Sequence, residues 1–371
     1  MIILTIIVFI LILGLLVFVH ELGHFVMAKR AGMRVEEFGF GFPPRIFKIR
    51  KGETRYSLNW IPLGGFVKIT GEDGGLSDDP RAFVNKGFGK RFSVLVAGVV
   101  MNFLLAWFLM FLGFWLIGTP SEITADFNFS RAKVAEPQIS VIAVQEQTPA
   151  AAAGFRTGDV ILSMDNKKFE SIEEMISYTK EKAGSPVVYE LKRGKEILTR
   201  QVTPRPNPPE GSGPVGFAPA KIAMVKYPVW QALALSFRAF FGKTLGILAA
   251  FGYLLKSLFV TGHLVQGISG PVGIAILTRD FTALGFAYLV QFTAVLSLNL
   301  AIINGIPFPA LDGGRLLFLL IEKIRGAKSL KWERLANTVG FLLLILLMIA
   351  VTVGDFEKYS QQFKIFFGKV F

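Results

Sequence analysis

The chain has 371 residues, 52% of them hydrophobic and only 18% charged, against roughly 25% charged in an average soluble domain. That balance excludes an ordinary soluble globule, so the net charge of +13 is assigned to cytoplasmic loops lying against anionic lipid, with no nucleic-acid partner. With no cysteine, disulfides and thiolate ligands are excluded, and any metal must use nitrogen and oxygen donors.

Met1–Val19 is uncharged and almost wholly apolar. A signal peptide would need a preceding lysine or arginine and a small-residue cleavage pattern, and both are missing. As a span, the run must extend to about Lys29 to reach roughly 20 residues. Lys29, Arg30 and Arg34 follow it, which places the N-terminus outside and residue 30 inside. Near its end stands His20-Glu21-Leu22-Gly23-His24, holding two of the chain's three histidines. Histidines four apart share one helix face and can bind one metal, with the intervening glutamate as general base on water activated there. A helix end meeting the interface is the bland alternative. Ionisable groups inside a span are costly, however, and functional by default.

Glu36 to Ile69 alternates apolar and polar residues, so it is expected to form two short sheets or hairpins that dip an aromatic face into the bilayer. Such a ribbon is either a peripheral surface element or an edge that clamps an unwound substrate. Gly71–Asp79 is an acidic loop. Phe92 to Gly118 is an uncharged span running outward. Its one strongly polar residue, Asn102, bonds either a neighbouring helix or the catalytic site.

From Ser121 to about Pro209 the chain turns charged and mixed. Strands are expected over Ile139–Val144, within Phe155–Asp165, and over Val187–Lys192 and Ile197–Val202. A short helix begins at Thr148, and a longer one follows the Ser171 cap. This order, with Ala-Gly-x-x-x-Gly-Asp-x-Ile from Ala153, resembles a PDZ domain. Such a domain is either a peptide binder or a steric plug. Pro204–Pro219 reads as a linker. Tyr227 to Gly262 reads as amphipathic helices on the outer leaflet, a true span being the alternative. His263 stands outside the motif, and Gly267–Ile274 is a tight turn.

Phe281 to Leu311 carries no charge, yet Pro307 and Pro309 forbid a regular helix through it. Backbone freed at membrane depth must line protein or a wet cavity. Asp312 follows and could supply a third ligand or merely cap a helix; Gly313 and Gly314 allow close backbone approach. Glu322–Arg334 is a basic cytoplasmic loop, Ala336–Gly354 the last span, and the tail from Asp355 lies outside.

The reading is therefore a polytopic α-helical membrane protein with about four transmembrane helices (1–29, 92–118, 285–318, 336–354). It carries membrane-associated β-hairpins and an inserted extracytoplasmic α+β PDZ domain. The domains run 1–118, 121–209 and 220–371.

His-Glu-x-x-His in the first span, Asn304-x-x-Pro307-x-Pro309-x-Leu311-Asp312-Gly313, the Gly270-Pro271-Val272-Gly273 turn and a single PDZ insertion together resemble the site-2 protease family. These are intramembrane zinc metalloproteases, and the bacterial regulator-of-sigma type is the most similar. The resemblance implies that His20, His24 and Asp312 ligate Zn2+ and that Glu21 deprotonates the bound water. Asn304 would hold substrate backbone or the oxyanion, with Pro307 and Pro309 beside it. The 55–69 segment, including Tyr56, Leu58, Gly64 and Gly65, would receive substrate as an added strand. It further implies a multi-pass protein of the bacterial inner (cytoplasmic) membrane that cuts single-span proteins such as anti-sigma factors or signal-peptide remnants. A metal transporter using the same ligands, or a scaffold using only the PDZ part, are the rival classes.

Overall fold

A computed structural model describes residues 2–72, 77–123, 131–145, 147–194, 196–209, 212–261, 269–326 and 330–358. In chain order its elements are α1 (Ile2–Arg30), β1 (Val35–Lys51), β2 (Thr54–Ile69), α2 (Phe88–Leu112), β3 (Thr119–Glu122), β4 (Lys133–Val134), β5 (Gln138–Val144), α3 (Pro149–Ala152), β6 (Val160–Met164) and α4 (Ile172–Glu181). There follow β7 (Val187–Arg193), β8 (Glu196–Val202), β9 (Phe217–Lys226), α5 (Val229–Thr261), α6 (Pro271–Leu284), α7 (Phe286–Gly305), α8 (Asp312–Arg325) and α9 (Leu330–Lys358). The chain falls into two compact units. One is Met1–Met110 with Phe237–Arg279 and Phe292–Phe371; the other is Phe111–Ser236 with Asp280–Gln291.

In the first unit, α1 carries the apolar run and ends on Lys29 and Arg30, cations suited to a helix C-terminus. Small residues let α2 and α7 approach closely: Ala106 and Ala294 are fully buried together with Met110 and Leu298. The Ser297 hydroxyl donates to the Asn102 carbonyl at 2.8 Å, joining the same two helices. Met33, Val35, Ile69, Val94 and Leu319 form a second core where α1, the hairpin base, α2 and α8 meet.

The expected short sheets are one antiparallel hairpin whose two strands bend. Its segments lie in the order 65–69, 35–40, 55–59, 45–51, because 35–40 pairs with 65–69 on one side and 55–58 on the other. Phe42, Phe47 and Trp60 are exposed on it.

The membrane part differs from expectation in four places. Residues 229–261 form one continuous helix, α5, rather than separate amphipathic helices. Among the described residues five helices, against the about four expected, are long and apolar enough to cross: 3–30, 88–117, 229–254, 286–305 and 332–356. The segment expected to span 285–318 is two helices, since Pro307 and Pro309 remove backbone donors and stop α7 at Gly305. Asp355 does not begin an outer tail. It is buried on α9, where its carboxylate accepts from the Gly270 and Gly273 N–H groups at 3.2 and 2.7 Å and so caps α6. His263, part of the acidic loop at 73–76, and the start of the Gly267 turn lie outside the described residues.

The second unit is a PDZ domain built on a sheet of order β3-β9-β5-β6-β7-β8, with β4 on β9. Val141, Met164, Met175, Tyr189 and Leu191 are almost wholly buried at its centre. Burial pushes the Tyr189 phenol up to about 12. Thr148 and Ser171 cap α3 and α4 by accepting from Ala151 N and Glu174 N. The Gly-Asp of the motif has a physical role. Asp159 is fully buried and accepts both arms of Arg193 at 2.6 and 2.7 Å, with Arg156 N–H at 2.9 Å. The sheet reaches past residue 209, because β9 pairs with β5 and buries Ala220, Ala223 and Val225. The end of the expected linker is thus strand; its proline and glycine content hid the alternation that follows.

Candidate metal centre and active site

His20 and His24 are buried on one face of α1. His24 Nδ1 lies 2.8 Å from the Val94 carbonyl. A carbonyl can only accept, so the proton sits on Nδ1 and Nε2 presents its lone pair. Asn102 is wholly buried, with its amide nitrogen 3.2 Å from His20 Nδ1 and its amide oxygen without a partner. Turning the amide over exchanges the two atoms, so that the oxygen accepts Nδ1–H and leaves His20 Nε2 unprotonated in the same way.

Asp312 is the first residue of α8, delivered by the 306–311 break. Gly313 and Gly314 make this possible, since a Cβ on either would lie 2.2 Å from the Ile306 or Phe308 carbonyl oxygen. The break is also held by α9, whose Asn337 accepts from Ala310 N–H at 3.0 Å. As a result Asp312 Oδ2 lies 3.0 Å from His20 Nε2 and 3.2 Å from His24 Nε2, and the two imidazole nitrogens are 3.2 Å apart. Gly98 on α2 leaves room for the pair, because a Cβ there would lie 2.3 Å from His24 Nε2.

This triangle fits a divalent ion. Tetrahedral nitrogen and oxygen ligands at zinc distances stand about 3.3 Å from one another. Asp312 Oδ2 is buried without a hydrogen-bond donor, and three electron pairs converge with no proton among them. A cation resolves that repulsion.

A cavity of about 340 Å³ opens on the triad. Glu21 lines it together with Phe66–Ile69 of β2, Glu72 and Arg315, the last two paired with each other. Gly65 lies against Glu21, its Cβ direction 3.3 Å from Glu21 Cγ. The triad, Glu21 and the end of β2 are therefore brought together. Other expected residues stand apart. Tyr56 and Leu58 are on an inner strand, facing Phe38 and Ile49, and Phe40 and Phe47, so their backbone has no open edge. Gly64, at φ +138°, packs under Phe42. Pro309 turns to α9, where a Cβ on Gly340 would meet its carbonyl oxygen at 2.5 Å. Pro307 lines a second cavity, and Asn304 is half-buried and lines neither. Asn102 and Gly98 serve the site from outside the motifs; for Asn102 the signal in the sequence is a lone asparagine in a span.

Fold and site together define a polytopic membrane metallopeptidase carrying one PDZ domain. Residues 8–347 match Peptidase family M50, and the chain belongs to that family of site-2-type intramembrane zinc metalloproteases. A Clostridium perfringens protein bearing a zinc metalloprotease name is 36% identical over 92% of this chain and 95% of its own. The regulator of sigma-W protease RasP of Bacillus subtilis is 30% identical over 95% of this chain and 98% of its own. A solved PDZ domain of an SdrC-like protein from Listeria monocytogenes is 26% identical over 24% of this chain and 92% of its own, with TM-score 0.21. The transporter and scaffold readings lapse with the family assignment.

Proposed function

We propose that His20, His24 and Asp312 hold zinc and that Glu21 is the general base for cleavage of a membrane-embedded peptide bond. The convergence of three ligand atoms within 3.2 Å of one another is the observation that supports this most. When bound there, zinc supplies Lewis-acid polarisation of the scissile carbonyl and an acidified water. Glu21 takes the proton of the attacking water and returns it to the leaving amine. Asn102 and the Val94 carbonyl hold the imidazole tautomers.

A helical substrate hides its amides and must unwind first. Pairing along 65–69, the segment of β2 beside Glu21, replaces the lost hydrogen bonds. Asn304, Pro307 and Pro309 act by shaping the break that delivers Asp312. The substrates are single-span proteins already trimmed outside, such as anti-sigma factors or signal-peptide remnants; the sigma-W name of one relative favours the former. The protein sits in the bacterial cytoplasmic membrane with its PDZ domain extracytoplasmic, where that domain excludes bulky ectodomains. The working division is a catalytic core from 1–118 and 220–371 around the PDZ insertion.

The test is Glu21→Gln in full-length protein. Cleavage of a single-span reporter should fall by about 10²–10⁴-fold while bound zinc is unchanged. Cleavage at the wild-type rate overturns the assignment.

A further inference from the structure

Asp312 stands between two cavities of opposite character. Asp312 lines both the polar one shared with Glu21 and Arg315 and a second of about 470 Å³. The second is walled by Val99 and Phe103 of α2, Leu248 of α5, Ile302 and Gly305 of α7, and Pro307. Among the described residues Thr244 is the one polar side chain there besides Asp312, and its hydroxyl already donates to the Phe240 carbonyl at 2.7 Å. A charged or hydrogen-bonding group entering this cavity would lose water and, away from the metal ligand Asp312, gain little from the described side chains in return.

Resting on the protease reading, we infer that this cavity is the specificity pocket for one large apolar side chain flanking the scissile bond. A carbonyl brought to the triad leaves its flanking residues within a few ångströms, since consecutive Cα atoms are about 3.8 Å apart. Neighbouring side chains of an extended strand point to opposite faces. One flanking side chain therefore returns toward β2, and the other enters the apolar cavity beyond Asp312. The volume suits Leu, Phe or Met and leaves space beside Ala.

Gly305 gives a direct handle. Its φ is not in the left-handed region, and its Cβ direction meets only Val99 Cγ1, at 3.7 Å. Gly305→Leu therefore fills the cavity, whereas Val99→Ala enlarges it.

The experiment uses the full chain in lipid vesicles, with a reporter carrying Gly, Ala, Leu, Phe, Trp or Asp at each residue flanking the mapped cleavage site. At one of these positions wild type should prefer Leu or Phe over Ala by about 10-fold or more in kcat/KM. Gly305→Leu should bring that ratio near unity with zinc content retained, and Val99→Ala should raise Trp. A photoreactive phenylalanine at that position, bound to Glu21→Gln protein, should cross-link within 95–103 or 301–307. Cleavage whose preference neither variant moves, or a cross-link to 66–69 or to lipid, overturns the pocket and leaves the protease reading standing. Wild-type protein that holds zinc but cuts no reporter overturns both.

Discussion

Each unit holds an aspartate with a buried carboxylate oxygen, and the two are satisfied on opposite terms. Asp159 in the PDZ domain takes two arms of Arg193 and one backbone N–H, so both its oxygens are satisfied from within the fold. Asp312 in the membrane part has an oxygen facing two imidazole nitrogens and no donor at all. A carboxylate that the chain satisfies is structural. One that the chain leaves facing other lone pairs is a place prepared for a cation. Asp355 belongs with the first kind, since two glycine N–H groups complete it.

The contrast breaks most visibly at Asp312. Asp312→Asn should strip zinc from the protein under mild chelation and abolish cleavage, without shifting the thermal unfolding of the PDZ unit; atomic absorption and a melting curve read the two effects. Retained zinc would show that the triad is not the site. Asp159→Ala should do the reverse. It leaves the half-buried Arg193 guanidinium with the Gly154 carbonyl and no counter-charge, and should destabilise the PDZ unit by about 3 kcal/mol, seen as early proteolysis of that unit on warming, with zinc content intact.

Asn102→Ala sharpens the comparison further. It removes the partner of His20 Nδ1 but no ligand, so zinc affinity should fall by about 10–100-fold in competition with a coloured chelator. The smallest effect concerns Glu37 in the hairpin. Burial raises its carboxyl pKa, but the nearby Ser57 hydroxyl and the bonds from Arg45 and Arg55 outweigh that and hold it below its ordinary 4.5. A depressed carboxylate pKa gives stability that is present above 4.5 and lost as pH falls through the lowered value. Hydrogen exchange of 35–69 should therefore quicken below that pH, and Arg45→Ala should shift the onset upward.

Much of this was legible because it depends on neighbours in sequence. The helical spacing of His20 and His24, the prolines that stop α7, and the Ser171 cap of α4 are local facts with local consequences. The misreadings share a cause. The 217–226 strand follows a proline-rich run, and Arg238, Lys243 and Lys256 interrupt the apolar run of α5 without ending the helix. In both, composition was read where pairing partners or continuous helical bonding decided. Tyr56 and Leu58 lie on an inner strand for the same reason, since the bend that pairs 55–59 on both sides is invisible in composition.

Sequence alone settled the membrane class, the paired histidines with their adjacent acid, the PDZ insertion and the break before Asp312. These follow from residue type and spacing, which set hydropathy, helix periodicity and backbone freedom. Tertiary structure alone decided that Asp312 meets the imidazoles across some 290 residues of chain, that Asn102 and Gly98 serve the same site, and that an apolar cavity lies behind it. Those are contacts between distant segments. They arise only when glycines at 98, 313 and 314 let helix and loop backbones approach within reach of one ion.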